Sequence, residues 1–484
     1  MTKIGYVIGI EWILCTLLLL AAYINAITGF GLTLSCDSAN YLSVAQSLSQ
    51  GNGFNQFDDF PLLNTAPLYP ILLMPAYLLG INPLIYAAIL NGIFLLGATT
   101  TAVMLFQRFS KPVWFPLGIP ALFFPFGVFT LNAVALLSEM AFIFILLTFI
   151  MHFYDALQGK HELRKSAVLL AILMLLRFAG FLFVPAILIL LYQHKQHSIK
   201  QKIEFVLITF IPVGLWLIRN FLLSGNGFGE HQITEKFSLL AFGGNINELS
   251  KMGLQSPLKM IVGIIALVAY MIAAYEVFRK QVQTQIVHLL QILFYLISSY
   301  ILLLFLQKNL PVNQIPRFLS IIWLPMTIFW LLLFQVWLLE HVYRKWLVRT
   351  ISIFILALGL FQLGGVIGKS ILFHFKGTGV YSSKYWENIP MNELTTAIST
   401  DAKIISNHPD YIWLRTGIKA KHARFINEDS SQFKSRTAQA NTLVWFNQTD
   451  REKIVLPLEN YAEKIKAVIH ENPAYVIFEL DPTK

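Results

Sequence analysis

Long apolar runs dominate the chain from its start to about residue 370. A helix that crosses a bilayer needs about 20 consecutive, mainly apolar residues, and nine runs approach or exceed that length. They lie at 7–28, 83–106, 113–131, 136–153, 204–223, 258–278, 286–306, 318–339 and 347–367. This pattern predicts an α-helical polytopic membrane protein.

A further apolar stretch, 166–192, is interrupted by Arg177 and Gly180, so it is either one long helix or two short crossings. Basic residues collect in cytoplasmic loops, and this rule separates the two interpretations. With a cytoplasmic N-terminus, two short crossings keep the basic clusters at 279–280 and 344–349 inside, whereas a single crossing moves both outside. We therefore predict about 11 transmembrane segments with the C-terminus outside.

The long connections are predicted to lie on the outer side. Outer loop 29–82 contains no Lys or Arg, and its residues 39–50 have the spacing of an amphipathic helix that ends at a glycine pair. The stretch 68–79 is apolar but short and contains two prolines, so we predict an interfacial helix along the membrane surface. A second outer loop is predicted at 224–257.

Beyond the last apolar run, the composition becomes that of a soluble protein. We assign residues 1–370, including outer loop 29–82, to a transmembrane domain and residues 371–484 to a small extracytoplasmic α/β domain. The predicted strands of that domain lie at 403–407, 442–446 and 474–480, and its predicted helices at 391–399, 409–416 and 458–471.

Composition and charge agree with a membrane protein. Hydrophobic residues make up 56% of the chain and charged residues only 13%, about half of the share in soluble domains. The net charge of +10 comes largely from short loops between apolar runs, which fits the positive-inside rule. We therefore expect membrane lipid, and no nucleic acid, as a partner.

Two acidic residues stand at the outer ends of predicted spans. Asp37 follows the first span, where it or Ser38 could cap the helix at 39–50, or where Asp37 could act as a general base for an acceptor. Glu139 opens the fourth span, where Ser138 could cap the helix and Glu139 would favour its positive end. Glu139 is also a candidate acid, base or acceptor anchor.

Three arginines lie near outer helix ends in this topology, and they are Arg177, Arg219 and Arg317. An arginine at the bilayer centre costs about 2.5–3.5 kcal/mol on insertion scales, so each must reach the interface or meet an anion. Converging guanidinium groups suit a phosphate or diphosphate, and Lys308 could join them. Each arginine alone could instead snorkel to lipid headgroups.

A divalent cation is a further candidate ligand. Asp58 and Asp59 could bind it together with Asp37, although adjacent acids in an exposed loop are also commonly just solvated. The two cysteines, Cys15 and Cys36, have no metal-ligand spacing.

The order of these features resembles the C-type glycosyltransferases (the GT-C superfamily), which are polytopic enzymes that use polyprenyl-phosphate sugars. The chain is similar to the bacterial branch that includes lipid A aminoarabinose transferases and protein O-mannosyltransferases. The resemblance is carried by Asp37 with Tyr41, Gly51-Asn52-Gly53, Thr65 to Pro70, Ser138-Glu139, Arg177 with Gly180, Arg219-Asn220, Pro316-Arg317 and Asn407 to Gly417.

The resemblance implies a sugar transfer, with inversion, from a polyprenyl-phosphate donor to an envelope lipid, glycan or protein on the outer face of the plasma (inner) membrane. It implies that Asp37 is the catalytic acidic residue of the first loop and that Glu139 is a second acidic residue near the active site. Many relatives carry two adjacent acids in this loop, whereas Ser38 follows Asp37 here, which leaves a Mg²⁺ or Mn²⁺ ion at Asp37 open.

The remaining candidates divide between donor and acceptor. The resemblance implies that the arginines face the lipid phosphate and that the first outer loop faces the acceptor. The donor-phosphate residues are then Arg177, Arg219, Arg317 and Lys308, and the acceptor and loop residues are Tyr41, Tyr69, Asp58 and Asp59.

Three other functions stay open from the sequence. A transporter or lipid flippase commonly shows internal repeats, and we find none in the sequence. A polysaccharide polymerase would use a diphosphate-linked chain as donor. A non-enzymatic receptor would not need arginines gathered beside a carboxylate.

Overall fold

A computed structural model gives the structure of the chain at most of its positions. The described residues are 3–110, 132–160, 162–228, 275, 285–307, 315–341, 345–379, 381–399, 401–423, 440–447 and 458–481. The predicted span 113–131, nearly all of the predicted span 258–278, most of outer loop 224–257, and Lys308 lie outside the described residues.

Helices form most of the described chain up to residue 376. In chain order they are α1 (Lys3–Phe30), α2 (Cys36–Ser49), α3 (Leu68–Leu78), α4 (Pro83–Phe109), α5 (Glu139–Leu157), α6 (Leu163–Leu176), α7 (Val184–Gln193), α8 (Ile199–Ser224), α9 (Gln285–Leu306), α10 (Ile315–Ser320), α11 (Trp323–His341) and α12 (Lys345–Lys376). A 3₁₀ turn, Phe178–Phe183, separates α6 from α7.

Five of the described helices are long and apolar enough to cross a membrane, namely α1, α4, α5, α8 and α9. Shorter apolar helices lie at Leu68–Leu78, Phe178–Gln193 and Trp323–Val336. These helices confirm a multi-pass α-helical membrane protein. The number of crossings stays a prediction.

Two predicted apolar segments are broken in the structure. The stretch 166–192 divides at Arg177, as its charge and glycine indicated. The span predicted at 318–339 begins later as a helix, because α10 ends at Ser320 and α11 begins at Trp323. Apolar composition marks this segment as membrane-embedded but does not show where its backbone turns.

The chain forms two compact units. The first unit comprises Met1–Gly29, Leu63–Tyr69 and Ala87–Phe375, and the second comprises Phe30–Leu62, Pro70–Tyr86 and Lys376–Lys484. Helix α12 ends at Lys376, six residues after the predicted domain boundary. We refer to these parts as the membrane unit and the outer unit, although the side of the membrane on which the latter lies stays a prediction.

A stack of three aromatic rings lies in the core of the membrane unit. Phe142 of α5 stacks on Phe183 of the 3₁₀ turn, with ring centroids 6.3 Å apart, and Phe183 stacks on Tyr300 of α9 at 5.1 Å. All three side chains are buried. Such pairs contribute about 0.5–1.5 kcal/mol each beyond their buried area, so the stack fixes three elements that position the candidate site.

The described residues of the outer unit from 381 onward form a five-stranded sheet and three short helices. The elements are α13 (Lys384–Glu387), α14 (Met391–Ala397), β1 (Ile404–Ser406), α15 (Pro409–Thr416), β2 (Ala420–His422), β3 (Thr442–Phe446), β4 (Ile465–Asn472) and β5 (Tyr475–Leu480). The strand order is β2-β1-β3-β5-β4. Strand β1 runs parallel to β2 and β3, and β5 runs antiparallel to β3 and β4.

The sheet confirms the α/β character of this region and corrects two details. The helix predicted at 458–471 is wrong, since 458–464 is a 3₁₀ turn and Ile465–Asn472 is a strand. The apolar residues Ile465, Val468 and Ile469 have the spacing of a helix face, but pairing with β5 makes this segment a strand. Strand β2 was not predicted, because only one of its three residues, Ala420, is apolar.

The first outer loop packs within the outer unit. The predicted helix at 39–50 is present as α2, which packs against α15. Farther along the loop, the buried ring of Phe57 stacks on Trp413, with centroids 6.1 Å apart. These contacts explain why residues 30–62 belong to the same compact unit as the C-terminal sheet.

Candidate functional site

The membrane unit contains a charged cluster that begins with the break after α6. Arg177 leaves the helix with an extended backbone, φ −155° and ψ 137°. Gly180 N–H donates to the Arg177 carbonyl at 2.9 Å and closes the turn. A Cβ atom on Gly180 would lie 2.9 Å from the Cα and N atoms of Met174. The 3₁₀ turn therefore lies directly on the last turn of α6 and needs a glycine there.

Glu139 lies at the centre of this cluster. It is the first residue of α5, and its side chain is fully buried. One carboxylate oxygen, Oε2, is 3.0 Å from Nη1 of Arg177, and the other, Oε1, accepts a hydrogen bond from Nε of Arg317. Nη1 of Arg177 also donates to Ser138 Oγ at 3.0 Å. Glu139, Arg177 and Arg317 are called the carboxylate–arginine cluster below.

The cluster explains how three charges are buried together. An isolated buried carboxylate is very costly, whereas one paired with guanidinium groups is compensated. One carboxylate and two guanidinium groups leave a net charge of +1. The arginine side chains retain 12% exposure at Arg177 and 23% at Arg317. Glu139 thus holds two partly accessible cations that can still attract an anion.

The predicted cap at this helix is not formed. Ser138 occupies the N-cap position of α5, but its side chain makes no capping hydrogen bond. Its hydroxyl accepts from Arg177 instead. Ser138 and Glu139 therefore both bind Arg177, and the Ser138 side chain does not cap the helix.

Arg219 lies on α8 in a different arrangement. Its guanidinium carbon is 4.5 Å from the ring centroid of Trp216, and Nη1 donates to Asn220 Oδ1 at 2.8 Å. Asn220 is buried and donates to the carbonyls of Leu63 and Gly227 at 3.2 and 3.1 Å. Of the three predicted phosphate-binding arginines, Arg177 and Arg317 contact the same carboxylate. Arg219 contacts Trp216 and Asn220.

Asp37 lies in the first turn of α2 in the outer unit and is half-buried. The N-cap residue of the helix is Ser35 and is neither Asp37 nor Ser38. Ser38 Oγ accepts from the Ser35 N–H at 3.0 Å, which completes a capping box. Capping therefore does not account for Asp37, and its predicted catalytic role stays a prediction. Tyr41 is buried in the same helix.

The acidic pair of the first outer loop has protein partners in the structure. Asp59 forms an ion pair with Lys419, and Asp58 Oδ1 accepts from the Phe60 N–H at 3.2 Å. Both acids line a cleft of about 280 Å³ that also holds Lys403. In the part of the chain that the structure describes, no three Asp, Glu, His or Cys residues gather as metal ligands. The metal ion stays an open prediction and enters no step below.

Tyr69, predicted on the acceptor side, is a core residue of the membrane unit. Its side chain is fully buried, and its hydroxyl donates to Asn91 Oδ1 at 3.3 Å. Sequence reasoning did not single out Asn91, because one asparagine within an apolar span gives no signal of its partner.

The helices and the site define a polytopic membrane protein with a buried carboxylate–arginine cluster and a small α/β unit. No protein-family model and no curated protein matches the sequence. Solved structures do match over the whole length. The apo structure of ArnT from Cupriavidus metallidurans superposes with a TM-score of 0.61 at 10% identity, over 99% of this chain and 98% of that chain.

Two further structures agree. ArnT from Cupriavidus metallidurans bound to undecaprenyl phosphate gives a TM-score of 0.58 at 9% identity, over 99% of this chain and 98% of that chain. The archaeal oligosaccharyltransferase AglB from Archaeoglobus fulgidus, in complex with an inhibitory peptide and a dolichol-phosphate, gives 0.55 at 10% identity, over 91% of this chain and 69% of that chain. This chain therefore has the fold of the C-type membrane glycosyltransferases, as its sequence order predicted.

Proposed function

We propose that this protein is a membrane glycosyltransferase that takes its sugar from a polyprenyl-phosphate donor. The observation that carries the proposal is the likeness to ArnT over 99% of the chain, in a structure that binds undecaprenyl phosphate. The carboxylate–arginine cluster supports it independently, because two guanidinium groups with a net charge of +1 suit a phosphate group.

In the proposed reaction, Arg177 and Arg317 bind the donor phosphate. The bond between the anomeric carbon and the phosphate oxygen breaks, and its electron pair stays on the phosphate. The guanidinium groups stabilise this developing charge, since preorganised donors stabilise charge most where water is excluded. Glu139 holds both arginines in position and does not itself touch the sugar.

Asp37 is proposed as the general base for the acceptor. The acceptor hydroxyl or amine attacks the anomeric carbon opposite the phosphate, and its proton passes to the Asp37 carboxylate. A single displacement of this kind inverts the anomeric centre. The proposed acceptor is an envelope lipid, glycan or protein on the outer face of the plasma membrane, and the outer unit supplies the surface that meets it.

The reaction is tested by mass spectrometry of lipid-linked sugars and envelope glycans in cells with and without the gene. We expect a polyprenyl-phosphate sugar to accumulate without the gene and one envelope modification to disappear. Accumulation of a diphosphate-linked chain would favour a polymerase, and a lipid trapped on the inner leaflet would favour a flippase.

The role of Asp37 is tested in the same cells with Asp37→Asn, which keeps the shape of the side chain. Removal of a general base typically lowers a rate by roughly 10²–10⁴-fold, so we expect the modification to be lost while the protein remains in the membrane. Asp401→Asn is the control, because it makes the same change at an exposed acid of the outer unit that has no proposed role, and it should retain the modification. Full modification with Asp37→Asn would remove the general base from the proposal.

A further inference from the structure

A hydrogen-bond chain connects the segment before Glu139 to the helix that carries Arg317. The amide of Asn132 donates to Ser320 Oγ, and that hydroxyl donates to the carbonyl of Arg317, both at 2.5 Å. Asn132 and Ser320 are buried, at 2% and 5% exposure. The chain therefore fixes the backbone of Arg317 with respect to the segment that leads into Glu139.

The segment before Glu139 also forms hydrogen bonds with α4. Asn91 is fully buried, and its amide donates to the carbonyls of Ala133 and Ala135 at 3.3 and 2.6 Å. A buried carbonyl without a donor is unfavourable in lipid, so one side chain satisfies two carbonyls where the helical residues 132–134 give way to the non-helical residues 135–138. Residues 132–138 are thus held between α4 and α10.

An equivalent hydrogen-bond chain occurs elsewhere in the membrane unit. Asn25 of α1 donates to Ser370 Oγ of α12 at 2.8 Å, and Ser370 donates to the Ala22 carbonyl at 2.7 Å. It has the same order of groups, from an asparagine amide through a serine hydroxyl to a backbone carbonyl. Neither α1 nor α12 carries a residue of the carboxylate–arginine cluster, so this second chain provides a matched control.

We infer that Asn132 and Ser320 are positioning residues that set how Arg317 meets Glu139 and the donor phosphate. The identity of the ligand, a lipid phosphate, rests on the proposed function. The placement of Arg317 rests on the hydrogen bonds of Asn132 and Ser320. A guanidinium group binds phosphate well only when its N–H fork is aligned, and α10 is a short helix of six residues that needs outside support. Tyr300 adds to that support by donating to the Phe318 carbonyl at 2.9 Å.

The test uses the full-length chain in nanodiscs, with undecaprenyl phosphate as the probe. Ser320→Ala removes the bridging hydroxyl, Ser320→Thr keeps it, and Ser370→Ala removes the hydroxyl of the control chain. We expect Ser320→Ala to weaken binding of the probe roughly tenfold, the order expected if the displaced Arg317 loses one hydrogen bond to the charged phosphate. Ser320→Thr should restore binding to within about threefold of the wild type, and Ser370→Ala should leave it unchanged.

Unfolding temperatures measured on the same samples separate positioning from general stability. Ser320→Ala should lower the unfolding temperature less in the Arg317→Ala variant than in the wild type. Ser370→Ala should lower the unfolding temperature equally in both backgrounds. The inference is overturned if Ser320→Ala binds the probe as wild type does, if Ser370→Ala weakens binding equally, or if Ser320→Thr fails to restore it.

The test also distinguishes failure of the inference from failure of the proposed function. Wild-type protein that does not bind undecaprenyl phosphate would contradict the proposed function, and the unfolding data would then decide the inference alone. A smaller effect of Ser320→Ala in the Arg317→Ala background would support the positioning role, and an equal effect in both backgrounds would end it.

Discussion

Replacing Glu139 with alanine should destabilise the membrane unit strongly. The substitution leaves the Arg177 and Arg317 guanidinium groups without their shared carboxylate. It also leaves the Ser138 hydroxyl as the remaining partner of Arg177 in this contact. Two cations that face each other without an anion repel, and neither is exposed enough for water to replace the lost partner fully.

The magnitude follows from burial. Removing one partner of a buried ion pair costs about 3–5 kcal/mol. The side chains of Arg177 and Arg317 are 12% and 23% exposed, so some solvent screening reduces that figure. We expect Glu139→Ala to lower the free energy of unfolding by about 3 kcal/mol. Replacing all three residues with leucine should recover much of this loss, because well-packed apolar residues often replace a buried ion cluster without cost.

The assay is denaturant unfolding of the purified protein in mixed micelles, followed by tryptophan fluorescence. Glu204→Ala is the control, because it removes the carboxylate of the exposed Arg164–Glu204 ion pair and should have little effect. If Glu139→Ala unfolds at the same denaturant concentration as Glu204→Ala, the cluster is not a buried electrostatic anchor. The all-leucine variant should be stable yet should not bind undecaprenyl phosphate.

Two further predictions concern the break after α6 and the outer unit. Gly180→Ala should cost about 1–3 kcal/mol in chemical denaturation, because its Cβ would lie 2.9 Å from backbone atoms of Met174, whereas Gly364→Ala meets open space and should be neutral or stabilising. Burial, with a contribution from Glu393, raises the pKa of Tyr475 to about 12 from an ordinary value of 10. The folded chain thus keeps a proton that the unfolded chain loses, so stability should fall between about pH 10 and 12. Tyr475→Phe should remove this part of the fall in a pH series of unfolding curves, and an unchanged series would contradict the assignment.

Much of the fold could be predicted because the lipid environment gives a strong sequence signal. Five predicted spans correspond to long apolar helices among the described residues, and the break at Arg177 followed from a charge and a glycine in an apolar stretch. Strand β4 could not be predicted, because its apolar residues Ile465, Val468 and Ile469 are spaced as on a helix face and its pairing with β5 appears only in the folded chain. The interruption between α10 and α11 is marked by Pro325, which lies in the first turn of α11 and cannot donate the backbone hydrogen bond that would continue a helix from Ile321.

In the candidate site, the charged residues could be predicted from the sequence, but their contacts could not. Sequence position and charge identified Glu139, Arg177 and Arg317 one by one as candidates. That Glu139 meets Arg317, which is 178 residues away along the chain, depends on how α5 and α10 pack. Asn132 and Ser320 gave no signal, because polar residues of this size are common at helix ends and reveal their partners only in the folded chain.

The central claim is that a lipid phosphate binds at the arginines of the carboxylate–arginine cluster. A cryo-electron microscopy structure of the protein with undecaprenyl phosphate tests this directly. We predict phosphate oxygens about 3 Å from guanidinium nitrogens of Arg177 and Arg317. A phosphate bound away from both arginines would contradict the account.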